Sequence, residues 1–145
     1  MKKLILFLAI AGIFTYANAQ KTQKLTTKDV PTAVAIAFSN AYPTIKDVEW
    51  SKNGNNFVAE YDLGKTDRFV TYDVTGILID TRMKIASSAL PISVMQYVKK
   101  NYDEDEVKKS CEITDATGIV TYKTRVKGTD LYFDSKGNFI KSVKD

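Results

Sequence analysis

FVTYDVTGILI, Phe69 to Ile79, returns in altered form sixty-one residues later as DLYFDSKGNFI, Asp130 to Ile140. Each reads as a strand, an aromatic-Asp pair, two further residues, a glycine and a second apolar run. Thr75-Gly76 and Lys136-Gly137 supply the glycine that a tight hairpin turn needs. The same hairpin, built twice in one short chain, marks a repeat.

Working outward, a second pair of matching segments precedes the hairpins. VPTAVAIAFSNAYP, Val30 to Pro43, corresponds to LPISVMQYVKKNYD, Leu90 to Asp103, at an offset of sixty. Pro31 and Pro91 suit the first position of a helix, where no N–H is required. Val34, Phe38 and Ala41 in one segment, and Val94, Tyr97 and Val98 in the other, recur at helical spacing. This predicts two amphipathic helices of about four turns.

After each helix come short strand-like runs with turn punctuation: at Asn53-Gly54, Gly64 and Gly76 in the first half, at Gly118, Gly128 and Gly137 in the second. Links this short allow only antiparallel neighbours. The expected fold class is therefore α+β: two tandem repeats, residues 20–86 and 87–145, each one helix followed by a four-stranded antiparallel meander. A unit of about 60 residues is marginal alone, so the repeats should form one compact body by sharing a core or pairing edge strands.

Strand alternation sorts the side chains. Aligned at sixty-one, Trp50, Ala59, Tyr61, Val70 and Tyr72 match Cys111, Val120, Tyr122, Leu131 and Phe133. This apolar phase should lie under the helices, which makes its aromatics core rather than ligand cage. The opposite phase carries Val58, Glu60, Asp62, Phe69 and Thr71, then Ile119, Thr121, Lys123, Arg125 and Tyr132. It is polar with apolar exceptions. That composition suits an ordinary solvated face first, and after it a protein-binding patch.

The N-terminus, MKKLILFLAIAGIFTYANAQ, joins two lysines to an apolar run and then to Ala17-Asn18-Ala19. That is the layout of a secretory signal peptide, residues 1–19, cut after Ala19. The apolar run is short for a membrane span of about 20 residues. Removing 19 residues from 145 leaves 126, and losing Lys2 and Lys3 leaves 19 basic residues against 17 acidic. So mild a surplus, with its lysines scattered, draws no nucleic-acid footprint. Cys111 is the single cysteine, which leaves no intrachain disulfide in an oxidising compartment and reads as a small buried hydrophobe.

The chain has no histidine, which removes Ser-His-Asp and Cys-His nucleophiles and the usual zinc sites. Its glycines are too scattered for a phosphate loop, and no carboxylate pair falls in a cleft-like stretch. The expectation is a protein without enzymatic activity and without a cofactor. Asp103-Glu104-Asp105-Glu106 offers oxygen ligands of the kind calcium takes. Four consecutive acids lack the alternate spacing of a calcium loop, so a solvated turn is the better reading and calcium a weak candidate.

Taken in order, the repeated features resemble the PepSY-like family, exported bacterial proteins also described as β-lactamase-inhibitor-like. The residues that carry the resemblance are Val30-Pro31, Tyr42-Pro43, Tyr61 and Tyr72-Asp73 with Gly76, then Leu90-Pro91, Tyr102, Tyr122 and Phe133-Asp134 with Gly137. The resemblance implies a helix-plus-four-strand repeat like that of β-lactamase-inhibitory protein, which presents its sheet to an enzyme. It implies a periplasmic home and an inhibitory or regulatory binding role towards a hydrolase or peptidase.

The expected function is thus a periplasmic module that docks a protein through the open sheet face. Phe69, Ile119 and Tyr132 would serve as apolar anchors, and Lys123 and Arg125 would select acidic partners. The alternative is a periplasmic sensor or carrier responsive to a small ligand, a peptide or calcium, which a deep pocket between helices and sheet would favour. A structural envelope component is a further reading.

Overall fold

The computed structural model describes residues 21–103 and 106–144. The expected signal peptide and its cut after Ala19 lie outside the described residues, as do Glu104 and Asp105.

Nine strands form one antiparallel sheet: β1 (Gln23–Leu25), β2 (Glu49–Asn53), β3 (Asn56–Leu63), β4 (Thr66–Tyr72), β5 (Leu78–Ile85), β6 (Val107–Asp115), β7 (Val120–Val126), β8 (Thr129–Asp134) and β9 (Phe139–Lys144). Their order across the sheet is their order in the chain. The repeats are joined by edge pairing: β5 pairs with β6, from Asp80↔Asp115 to Ile85↔Ser110. The cores stay separate. Helix α1 (Thr32–Ala41) seals one, built on Val34, Phe38, Trp50, Ala59, Tyr61, Val70 and Tyr72. Helix α2 (Ile92–Asn101) seals the other, built on Val94, Val98, Val126, Leu131 and Phe133. Each large apolar side chain so buried contributes roughly 1.5–3 kcal/mol.

Both helices are ten residues long, about three turns where four were expected. Each starts one residue later than the sequence suggests. Pro31 and Pro91 are N-caps with ψ of 137° and 140°, and each is preceded by a single 3₁₀ turn, Thr27–Asp29 or Ser87–Ala89. Ala41 is exposed. Tyr42, one residue on, packs against the core instead and caps the helix with its N–H on the Phe38 carbonyl, 2.8 Å.

The repeated hairpin has a purpose in this architecture. In the first copy Asp73 Oδ1 accepts hydrogen bonds from Thr75 N (2.8 Å), Thr75 Oγ1 (2.6 Å) and Ile77 N (3.0 Å). In the second, Asp134 Oδ1 accepts from Lys136 N and Asn138 N, both at 2.9 Å. These bonds hold both carboxyls below the usual range for aspartate. Gly76 and Gly137 sit in the left-handed region, φ 84° and 82°, and each lies against the start of a helix. A Cβ on Gly76 would come within 2.6 Å of the Ala33 carbonyl oxygen; one on Gly137 would strike Ser93 Oγ and lie 3.0 Å from Pro91 Cβ. Ser93 Oγ also donates to the Lys136 carbonyl at 2.9 Å. The turn is the dock on which each helix rests.

A third copy of this turn lies at Asp115–Ile119, in the sequence DATGI. Asp115 Oδ1 accepts from Thr117 N (2.8 Å), Thr117 Oγ1 (2.7 Å) and Ile119 N (3.0 Å), while Gly118 has no neighbour within 4 Å of an added Cβ. No helix begins there, and the glycine serves only its φ of 91°.

The placement of Cys111 in the apolar phase is corrected. Val120, the counterpart of Ala59, pairs with Thr114, whereas Ala59 pairs with Trp50. In register, Trp50 therefore corresponds to Thr114, three residues beyond Cys111. An odd shift in an element of period two turns every side chain over. Cys111 pairs with Lys123 on the opposite face, half-buried, and Ser110 is buried under α2, sharing a hydrogen bond with Thr124 at 2.9 Å.

Candidate functional site: the uncovered sheet face

Both helices lie on one side of the sheet, as both cores attest, so among the described residues the other side has none packed on it. The registers set its side chains in rows. One row runs Glu49, Glu60, Phe69, Arg82, Ile113 and Thr121; its neighbour runs Asp62, Asp67, Lys84, Cys111, Lys123, Tyr132 and Lys141. Phe69 and Tyr132 are half-buried in this face, held between strands on either side. Each carries a cation. The Arg82 guanidinium lies 5.6 Å from the Phe69 ring centre, and Lys141 Nζ lies 5.0 Å from that of Tyr132.

Arg82 was not singled out in the sequence, yet it is the centre of this face. It lies 3.3 Å by Nε from Asp80 Oδ1 and donates through Nη2 to Thr71 Oγ1 at 3.1 Å, while the Thr71 hydroxyl donates to Asp80 at 2.8 Å. The signal was legible: Asp80, Arg82 and Lys84 alternate along one strand, which places three charges on one face. Two shallow depressions adjoin at Arg82 and Lys123. One, of about 320 Å³, is lined by Glu60, Asp67, Phe69, Lys84 and Cys111; the other, of about 430 Å³, by Asp80, Ile113, Tyr132, Ile140 and Lys141.

Of the five residues singled out for binding, the structure brings Phe69, Lys123, Arg125 and Tyr132 onto this face. Lys123 and Arg125 converge on Asp130, Lys123 Nζ at 3.1 Å and Arg125 Nη1 at 3.7 Å, so each already has an acid beside it. Ile119 lies apart from the strands, at the end of the Asp115–Ile119 turn, and is highly exposed. In the acidic run, Asp103 is exposed and Glu106 lies 3.6 Å from Lys127. Among the described residues no group of three His, Cys, Asp or Glu side chains is placed to hold a metal ion.

Burial pushes the Cys111 thiol and the Tyr132 phenol above their ordinary pKa values. Glu60 is raised too, first by burial and then by the carboxylates of Glu49, Asp67 and Asp62. On the helix side burial pushes Tyr72 up to about 12. Trp50, Tyr61 and Tyr72 are buried there, and Tyr122 is half-buried, packed against the second core.

An uncovered antiparallel sheet backed by two helices, each seated on an Asp-x-x-Gly turn, defines a class. A family model described as "Putative beta-lactamase-inhibitor-like, PepSY-like" matches residues 9–80 and again residues 70–141. The chain belongs to this PepSY-like family. The two matches are offset by sixty-one residues and overlap at 70–80.

Solved structures from Bacteroides share the fold. One, described as "putative periplasmic proteins" from Bacteroides eggerthii, is 18% identical with a TM-score of 0.65, over 79% of this chain and 88% of that one. A DUF2874 family protein from Bacteroides ovatus is 18% identical with a TM-score of 0.63, over 78% and 86%. A BLIP-like protein from Bacteroides fragilis is 19% identical with a TM-score of 0.57, over 78% and 86%. No curated protein matches the chain. Among the described residues no helix is long and apolar enough to cross a membrane.

Proposed function

We propose that this is a non-enzymatic periplasmic module that docks a protein partner through its uncovered sheet face and acts as an inhibitor or regulator of a hydrolase or peptidase. The observation that supports this reading is the face itself. Phe69 and Tyr132 lie on adjacent rows with Arg82, Ile113 and Lys123 between them, an aromatic-and-cation centre of the kind that anchors protein interfaces. The partner is blocked sterically by a rigid sheet. Lys123 and Arg125, tied to Asp130, fix orientation more than they add affinity. Ile119 extends the contact from the end of the sheet. The signal peptide, residues 1–19, delivers the protein and leaves Gln20 as its first residue, which mass spectrometry of the exported chain reads directly.

The test is affinity capture from periplasmic extract of the source organism, with and without calcium, followed by activity assays on any hydrolase retained. Phe69→Ala combined with Tyr132→Ala should abolish both capture and inhibition. Undiminished capture by that double variant would exclude this face. Capture that depends on calcium would bring the Asp103–Glu106 run, and with it the calcium-responsive alternative, to the fore.

A further inference from the structure

On the helix side of the sheet, one cross-strand row runs Tyr61, Arg68, Met83, Glu112 and Tyr122 on β3 to β7, each paired with the next. The two tyrosines belong to the two cores. The middle three cross the ladder that joins the repeats, where a groove of about 280 Å³ opens, lined by Arg68, Met83 and Glu112 with Tyr42, Thr81 and Thr114. Boundaries between structural units are where small-molecule sites preferentially form.

Arg68 is the anomaly of this groove. Its Nε is buried with no hydrogen-bond partner, and it makes no ion pair among the described residues. The other two buried atoms without a hydrogen bond, Arg82 Nε and Asp130 Oδ1, at least lie 3.3 and 3.7 Å from an opposite charge. A half-buried guanidinium whose Nε–H has no partner is matched by a carboxylate. Glu112 stands two strands away, about 10 Å between backbones, with Met83 as the floor between. After burial, its carboxylate is what raises the Tyr122 phenol, and it keeps lone pairs for a donor. A fork for an anion and a carboxylate for a cation, facing across an apolar floor, are complementary to a small zwitterion.

We propose that this groove binds a free α-amino acid with an apolar side chain. Its carboxylate meets Arg68, its ammonium meets Glu112, and its side chain lies over Met83. The site is on the opposite side of the sheet from the docking face and stands independently of it.

Titration of the ¹⁵N-labelled protein with L-leucine tests this by NMR, alongside 4-methylpentanoic acid, which lacks the ammonium, and 3-methylbutylamine, which lacks the carboxylate. Leucine should give saturable shifts centred on Met83. Each analogue should bind about tenfold or more weakly, the value of one charge-assisted hydrogen bond. Arg68→Gln should abolish binding of leucine and of the acid, and Arg68→Lys, which keeps the charge without the fork, should weaken both. Glu112→Gln should weaken leucine and leave the acid unchanged. The absence of saturable shifts with leucine overturns the site. Equal binding of leucine and the acid, or binding indifferent to Arg68→Gln in a variant whose spectrum is otherwise native, overturns it as well.

Discussion

Alanine at position 137 would place a Cβ where Ser93 Oγ now lies and 3.0 Å from Pro91 Cβ. Alanine at 118 would enter the same Asp-x-x-Gly turn with nothing within 4 Å. The two substitutions therefore share their backbone cost and differ only in the helix. Holding a non-glycine residue in the left-handed region costs roughly 1–2 kcal/mol, and Gly118→Ala should cost about that. Gly137→Ala adds overpacking, about 1–3 kcal/mol, and displaces Ser93 from its 2.9 Å bond to the Lys136 carbonyl, about 1 kcal/mol more. Gly76→Ala should be at least as severe, because the atom it meets at 2.6 Å is the backbone oxygen of Ala33, which yields only if α1 moves. Urea unfolding followed by circular dichroism and by fluorescence of Trp50, the single tryptophan, measures all three. Equal destabilisation by the three alanines would mean that the helices do not depend on these turns, and the account of the repeated hairpin would fail.

Leu131 and Phe133 are fully buried; Leu131→Ala should cost about 2–5 kcal/mol and Phe133→Ala about 3–5, read as lower urea midpoints. The carboxyls of Asp73, Asp115 and Asp134 are all held low by side-chain and backbone donors of their turns. A group depressed on folding stabilises above its unfolded pKa, so this contribution should be complete above about pH 4 and lost as pH falls through the lower folded values. Unfolding curves from pH 5 down to pH 2.5 test it, and a triple Asp→Asn variant should flatten the slope. With its thiol pushed up by burial, Cys111 should react with a disulfide reagent at pH 8 well below the rate of free cysteine and reach that rate in urea. Rapid reaction in the folded protein would place Cys111 in open solvent.

The hairpins were legible because their turn chemistry is local. Asp73, Gly76, Asp134 and Gly137 advertise a turn through their own hydrogen bonds and positive φ. The helices were legible through Val34, Phe38, Val94 and Val98, whose spacing is also local, although Pro31 and Pro91 fell one residue outside rather than at the first helical position. What failed was parity. Nothing around Cys111 reveals that its hairpin partner is Lys123; that depends on where the Asp115–Ile119 turn closes, and one odd step reverses the face. The turn at Gly118 was read from the sequence, but its likeness to the two hairpin turns was not, because no helix motif accompanies it. On the uncovered face, Phe69 and Tyr132 were placed by alternation alone. The ties of Lys123 and Arg125 to Asp130, and the stacking of Arg82 on Phe69, depend on cross-strand register, which a single sequence leaves open.

Every strand in this sheet lies beside its neighbours in the chain. Six of the eight ladders close over a short turn at small entropic cost and give the next strand an edge to zip onto; β1 with β2 and β5 with β6 pair across one helix each. For a nine-stranded sheet that is an unusually short search, and sheets dominated by remote pairings fold in milliseconds to seconds. Refolding of this chain in stopped flow should fall at the fast end of that range. The same adjacency gives growth a direction: among the described residues β9 pairs on one side, with β8, as β5 would without β6, so main-chain bonds on the other side could take a further helix-and-strands unit. Length, in this architecture, is a variable the fold leaves free.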